Sequence, residues 1–376
     1  MKFLRNSASE FKDKKVFLRV DFNVPLRQSS GQASEISEKY RISAHKETVD
    51  FLISAGTRIG LISHIDASFK DVVGQISNVL DYDIAFEEDI LNPKLESQLT
   101  LFENIRKYEG EEINDLGFAE DLAKNFDIYV NDAFSVSHRN HASVSAITKF
   151  LPAYSGFLME KETANLEKVL KAPAEGKTVI LGGAKVLTKL PVIRNFLDKA
   201  EHILIAGALA NTVFKARGIK VGRSMTEDIK TQIDWDNPKI ILPKDFIVSE
   251  DQSGKVISEV VAAGDINENK MILDIGPETI KQFSGTIRNS KMIIFNGPLG
   301  LVEVEAFSAG TKIVLDSMVN SSAFTVIGGG DTLAFIEKLG LLNKFNYVST
   351  GGGAMLEFLA GNRLPGLEAL GYYNGK

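Results

Sequence analysis

The chain has 376 residues, 44% apolar and 24% charged, with a formal net charge of -6. That length gives room for two or three domains with ample cores, and the acidic balance argues against nucleic acid as the main partner, since duplex binding leaves a basic footprint. There is no cysteine, which excludes a disulfide framework, a thiolate nucleophile and a Cys-ligated metal. Residues 1–11 carry Lys2, Arg5 and Glu10, and no apolar stretch of about 18 residues follows anywhere. The expectation is a cytoplasmic protein with no signal peptide and no membrane span.

Short runs rich in Val, Ile, Leu and Phe recur, each closed by a turn or a polar cluster. In the first half they lie at 16–20, 58–62, 99–102 and 128–130. Residues 42–52 carry apolar side chains at helical spacing, and Gly56 follows as a C-cap. The turn residues at 152–156 and 173–176 bracket a polar, helix-favouring stretch at 159–171. It is read as a helix joining two α/β domains. In the second half the apolar runs lie at 178–181, 203–205, 240–242, 271–273, 292–295, 325–327 and 347–348. Helical stretches at 208–216 and 333–339 end at Gly218 and Gly340. Strands alternating with helices predict parallel sheets, and runs that are apolar throughout predict strands buried on both faces. There is no repeat period and no low-complexity segment.

The second-half strands end in Leu181-Gly-Gly-Ala-Lys185, Asn296-Gly-Pro298, Gly328-Gly-Gly-Asp-Thr332 and Ser349-Thr-Gly-Gly-Gly353. Open α/β sheets bind ligands at the carboxyl ends of their strands. Glycine there lets backbone N–H groups approach a phosphate, and the next helix adds its positive end. One such turn is most simply a tight turn; four at successive strand ends point to a phosphate site. Neither a Gly-x-x-x-x-Gly-Lys-Ser/Thr loop nor a Gly-x-Gly-x-x-Gly fingerprint is present, which disfavours P-loop and dinucleotide binding. Asp331 alone reads as the N-cap of the following helix. Beside three glycines it also suits Mg²⁺ held between a carboxylate and phosphate oxygens.

The first-half strand ends carry Arg19, Asp21 and Asn23, then His64, Arg106, and Asn131, Asp132, His138 and Arg139, while Arg41 opens the first helix. An isolated arginine is a solvated surface residue, but several at strand ends on one face would form a bidentate anion site. One half therefore looks built for a nucleotide and the other for a small polyanion.

At these residues the sequence resembles the phosphoglycerate kinase family. The stretch from Phe17 through Arg19, Asp21 and Asn23 to Pro25 is similar to the family's N-terminal signature. Further similarity runs in order through Arg41-Ile42, Ser63-His64, Glu103-Asn-Ile-Arg106, Val130-Asn-Asp-Ala-Phe134, His138-Arg139, Gly156-Phe-Leu-Met-Glu160 and Gly182-Gly-Ala-Lys-Val186. It continues through Asp274-Ile-Gly-Pro277, Asn296-Gly-Pro-Leu-Gly300, the turns at 328–332 and 349–353, and Leu364-Pro-Gly366. The resemblance implies an α/β fold of two Rossmann-like parallel-sheet lobes joined by a linking helix and hinge. Residues 1–158 with the tail 361–376 would bind phosphoglycerate, 159–173 would link, and 174–360 would bind nucleotide. The family is usually monomeric, and its partners are ATP or ADP with Mg²⁺, and phosphoglycerate.

Carried over residue by residue, the resemblance implies that Asp21, Asn23, Arg41, His64, Arg106 and Arg139 hold the glycerate substrate. Gly183, Lys189, Gly207, Asn296, Pro298, Glu303, Gly329, Gly330, Asp331 and Thr332 would hold the nucleotide, Glu303 at its ribose and Asp331 at the metal. Arg41, Lys185 and Gly352 would act on the phosphoryl group in transit. The nucleophile is then an ADP phosphate oxygen or a carboxylate that is already ionised at neutral pH, so no general base is needed. Fixed cations and N–H donors must instead stabilise the transferring charge.

Four positions depart from the family pattern. After Ser63-His64 the family has Gly-Arg-Pro and a basic loop; here Ile65-Asp66-Ala67-Ser68 follows with an apparent deletion, and one substrate-binding arginine is lost. Thr188 stands where the family has Asp, Ala206-Gly207-Ala208 replaces a glycine run, and Met355 replaces Ser. Two readings stay open: a working phosphoglycerate kinase, and a non-catalytic or impaired paralogue that binds nucleotide as a regulatory module. An NAD-dependent dehydrogenase shares the fold class but not the fingerprint.

Overall fold

The structure, a computed structural model, describes residues 1–6, 8–27 and 35–375. The chain divides into two compact units, Met1–Ala164 with Arg363–Lys376, and Asn165–Asn362. The division falls inside one helix, Phe157–Lys171.

The first unit is built on strands β1 (Lys15–Arg19), β2 (Arg58–Ile62), β3 (Ala85–Glu87), β4 (Leu99–Phe102), β5 (Ile128–Asn131) and β6 (Ala153–Ser155). Among the described residues they form one sheet in the order β3-β4-β2-β1-β5-β6, and every pairing is parallel. Val16, Phe17 and Leu18 on β1 are fully buried, as strands covered on both faces require. Gly60 on β2 is needed for packing, since a Cβ there would meet the Phe126 ring at 2.7 Å. The run expected as one helix at 42–52 is two helices, Lys39–Ser43 and Lys46–Ser54. The break falls at His45, whose N–H bonds three residues back to the Ile42 carbonyl while its ring reaches into the sheet end. The segment from Arg363 onward packs on this unit, with the Gly366 N–H donating to the Ser137 carbonyl at 2.9 Å.

The second unit has β7 (Lys177–Leu181), β8 (His202–Ile205), β9 (Ile240–Ile241), β10 (Asp245–Ser249), β11 (Glu259–Ala262), β12 (Met271–Ile275), β13 (Met292–Asn296), β14 (Phe324–Gly328) and β15 (Tyr347–Val348). Six of them make a parallel sheet in the order β9-β8-β7-β13-β14-β15. The four strands that end in glycine turns, β7, β13, β14 and β15, are consecutive neighbours. Their turns therefore line one edge of one sheet. The run at 271–273 departs from the parallel expectation. It belongs to β12, in a separate antiparallel sheet ordered β11-β10-β12. Most of β11 is exposed, so this strand carried no buried-strand signal.

Candidate functional site

In the first unit, parallel strands deliver the expected residues to one sheet edge. Arg19 is fully buried: its Nε donates to Ser143 Oγ at 2.9 Å, one Nη donates to the Val20 carbonyl, and the other lies 3.5 Å from His64 Nδ1. Asp21 is buried, pairs with Arg41 at 2.9 Å and accepts from the Ser135 hydroxyl at 2.5 Å and its own loop's Asn23 N–H at 3.1 Å. Burial opposes ionisation of Asp21, but Arg41 leads the opposing contributions and the carboxyl is held well below the usual range. Burial, and next the Arg19 guanidinium, push His64 well below its ordinary value, so its ring is neutral at physiological pH.

Arg106 and Arg139 complete this group. Burial, then the like charge of Arg139, lowers the Arg106 pKa. Arg106 has only a 3.4 Å approach to the exposed Glu112 as an ion pair, and its Nε and one Nη lack hydrogen-bond partners among the described residues. Arg139 is exposed and makes no ion pair among the described residues. Arginines gathered against their own repulsion, with buried donors unused, have the chemistry a polyanion would neutralise.

In the second unit the glycines divide into two kinds. Some let the turns touch each other: a Cβ on Gly182 would meet the Pro298 carbonyl at 2.1 Å, and one on Gly297 would meet the Gly182 carbonyl at 2.3 Å. The Gly183 N–H is spent on the Pro298 carbonyl at 2.7 Å, so Gly183 offers a ligand its surface but not that donor. Others face open space: nothing lies within 4 Å of a Cβ on Gly330 or Gly352. Gly352, at φ 50 and ψ -116, holds a conformation suited to glycine. Thr332 Oγ1, buried, accepts the Gly297 N–H at 3.1 Å and ties two turns together.

A cavity of about 160 Å³ opens on these turns, lined by Gly183, Gly207, Ala208, Leu273, Pro298, Leu299, Leu301, Glu303 and Asp331 among others. Apolar side chains together with the Glu303 and Asp331 carboxylates and glycines suit a flat base with a phosphate tail. Asp331 is not the N-cap expected from sequence. Gly329, at φ 101, holds that place, and no side-chain cap bond is made. The Asp331 carboxylate is exposed. Lys185 is exposed, Lys189 is buried, and neither forms an ion pair among the described residues.

A family model described as phosphoglycerate kinase matches residues 6–362. A phosphoglycerate kinase of Geobacter metallireducens is 39% identical, covering 99% of this chain and 98% of its own. One of Moorella thermoacetica is 37% identical, covering 96% and 97%. The solved phosphoglycerate kinase of Pyrococcus horikoshii OT3 superposes with a TM-score of 0.86 at 31% identity, covering 99% of this chain and 98% of that one.

The chain belongs to the phosphoglycerate kinase family.

The departures from the family pattern have local explanations, except at the loop after His64. Thr188 donates to the Lys185 carbonyl at 2.8 Å and closes the lysine turn. The Met355 sulfur fills the space over Gly328, where a Cβ would meet it at 2.3 Å. Ala206 is the extended N-cap of Gly207–Ala216, and Gly207, at φ 60, passes so close to Gly183 that a Cβ would lie 2.7 Å from its nitrogen. The shortened loop instead brings Asp66 into the field of Arg106, so an acid now tempers the anion site.

Two residues that accept backbone N–H groups in these turns carried no sequence motif. Glu227 accepts the Val186 and Leu187 N–H groups at 3.1 and 3.3 Å and fixes the turn between Lys185 and Lys189. His45 is the other, and no periodicity or spacing singled it out. Burial lowers Lys189 to about 8. A bound polyphosphate would favour the charged form, so ADP affinity should fall as pH rises from 7 to 9, approaching about tenfold per unit above that pKa. Titrations by calorimetry check this. Lys189→Arg, which keeps its charge, should flatten the profile, and an equal slope in both proteins would remove Lys189 from the phosphates.

Proposed function

We propose that this protein catalyses reversible phosphoryl transfer between 1,3-bisphosphoglycerate and Mg-ADP, giving 3-phosphoglycerate and Mg-ATP. The observation that carries this reading is the pair Lys185 and Lys189. Both lack ion-pair partners among the described residues and lie in the turn after β7, beside three further glycine turns. In this reading Arg41, Arg106, Arg139, His64, Asn23 and Asp21 hold the glycerate substrate. Glu303 holds the ribose; Lys189, Gly207, Asn296, Pro298, Gly329, Gly330 and Thr332 form the nucleotide's binding surface, Gly183 contributing contact rather than a donor. Arg41, Lys185 and Gly352 surround the group in transit. The fixed cations stabilise charge on its equatorial oxygens, and the substrate carboxylate attacks without a base.

Among the described residues no group of three His, Asp or Glu side chains is placed to hold a metal. Asp331 alone beside phosphate oxygens fits Mg²⁺, which keeps several waters and takes few protein ligands. Mg²⁺ would screen the phosphate charge. Asp331→Asn should therefore raise the Mg²⁺ concentration for half-maximal rate by about tenfold. Rate titrations of both proteins decide it, and superimposable curves would exclude Asp331 from the metal.

Arg41 and Lys185 belong to different units, so the reading requires hinge closure around both substrates. The scattering radius of gyration should fall only in the ternary complex; an active enzyme with an unchanged radius would count against closure. We also propose a cytoplasmic monomer with small-molecule partners only. Among the described residues no helix is long and apolar enough to cross a membrane.

Asp66 beside Arg106 favours a second reading, the non-catalytic or impaired nucleotide-binding paralogue. A coupled assay with 3-phosphoglycerate and Mg-ATP separates them: the kinase turns over, whereas the non-catalytic paralogue binds nucleotide and does not.

A further inference from the structure

His45 is fully buried at the break between the helices Lys39–Ser43 and Lys46–Ser54. Its Nε2 accepts the Asp21 backbone N–H at 3.0 Å, and its Nδ1 lies 2.7 Å from Asp132 Oδ2. An imidazole nitrogen that accepts an N–H carries no proton, so the ring proton sits on Nδ1 and is donated to Asp132. The other Asp132 oxygen accepts the Leu158 N–H at 2.9 Å and the Met159 N–H at 3.4 Å. These are among the first N–H groups of the helix Phe157–Lys171, which need partners from outside the helix. Gly156, just before it, has no side chain with which to cap. A Cβ there would meet Asp132 Oδ1 at 2.0 Å, so the local geometry is built around the Asp132 carboxylate. Thr48 Oγ1, from the same helix as Lys46–Ser54, accepts the Phe157 N–H at 3.0 Å.

We propose that His45 is a positioning residue for the glycerate side of the site: it fixes the Asp21 backbone, and through Asp132 ties it to the start of the helix Phe157–Lys171. The inference rests on the reading of Asp21 and Arg41 as substrate-side groups. Asp21 holds Arg41 at 2.9 Å, so the backbone that His45 grips sets where the Arg41 guanidinium points. A buried donor–acceptor chain of this kind is rigid because each broken link leaves an unpaired polar group in a dry interior. Glycerate binding at Asp21 and Arg41 is thereby coupled to the end of the helix that leads out of the first unit.

Two substitutions cut the chain at different links. In His45→Asn the side-chain amide still reaches Asp132 but falls short of the Asp21 N–H. In His45→Gln the longer amide still accepts from Asp21. Dissociation constants for 3-phosphoglycerate and for Mg-ADP are measured on the full chain, with thermal midpoints alongside. His45→Asn should weaken 3-phosphoglycerate by about tenfold, the effect of losing one buried hydrogen bond. Mg-ADP should change less than about twofold, and His45→Gln, which keeps the Asp21 link and loses the Asp132 one, should weaken 3-phosphoglycerate clearly less than His45→Asn does. Equal losses in both variants, or lowered thermal midpoints with unchanged 3-phosphoglycerate binding, would reduce His45 to a packing residue and overturn the proposal. A parent protein that binds no 3-phosphoglycerate would instead overturn the underlying site reading. If His45→Asn does not fold, ¹⁵N spectra of the parent decide. The His45 ring nitrogens should shift on adding 3-phosphoglycerate and not on adding Mg-ADP, and silence at saturation would overturn the coupling.

Discussion

Lys185→Ala should lower kcat by about 10²–10³-fold, the range seen when one preorganised charge-stabilising donor is removed, while the Kd for Mg-ADP moves less than about threefold. Lys185 is exposed and lacks an ion-pair partner among the described residues. A cation free of the ground-state structure gains most from charge that develops in transfer, so its loss should fall on the transition state. Lys189 differs: it is buried, donates to the Lys185 carbonyl at 3.1 Å and sits at the head of Leu190–Phe196. Its removal should fall on nucleotide binding. Single-turnover rates and calorimetric ADP titrations on the Lys185 variant separate the two roles. An ADP affinity that collapses with kcat preserved would make Lys185 a nucleotide anchor.

Arg41→Lys should lower kcat/KM for 3-phosphoglycerate by about 100-fold although the charge is kept. One Arg41 Nη is committed to Asp21 at 2.9 Å and the other approaches Glu38 at 3.9 Å, while Nε is buried without a hydrogen-bond partner. Only a planar fork can hold Asp21 and present further donors to an anion at the same time. A lysine ammonium must choose. The loss corresponds to one or two charge-assisted hydrogen bonds of about 1.5–3 kcal/mol each, with about 1.4 kcal/mol per factor of ten. The thermal midpoint should stay near that of the parent, because Arg41 is only partly buried. If kcat/KM for 3-phosphoglycerate is unaltered, Arg41 serves only to balance Asp21.

The candidate site residues can be picked out from the sequence for one physical reason. Strands of a two-sided parallel sheet must be apolar along their whole length, so their ends stand out as the first polar or glycine residue. Asn296 is that residue on its own strand, and Asp21, His64, Arg106 and Lys185 follow within four residues of their strand ends. Four glycine turns were visible in sequence, but only the strand order β7-β13-β14-β15 shows that they share one edge. Sequence did not reveal which glycines face a ligand and which merely let turns touch; Gly182 and Gly352 look alike until the neighbouring carbonyls are placed. Asp331 was read as a cap because helix starts favour aspartate, yet the helix already begins at Gly330, with Gly329 at φ 101 in the cap position. The antiparallel sheet was not legible because β11 is largely exposed. His45 and Glu227 were missed because single residues that grip backbone N–H groups from a distant loop leave no local pattern.

The most direct test of phosphoryl transfer to a carboxylate is trapping of the acyl phosphate. The protein is incubated with Mg-ATP, 3-phosphoglycerate and hydroxylamine, which attacks acyl phosphates to give a hydroxamate and inorganic phosphate. The account predicts ADP and 3-phosphoglycerate hydroxamate in equal amounts, with neither formed when 3-phosphoglycerate is omitted. Both ligands bound without reaction, or ADP released without hydroxamate, would contradict it.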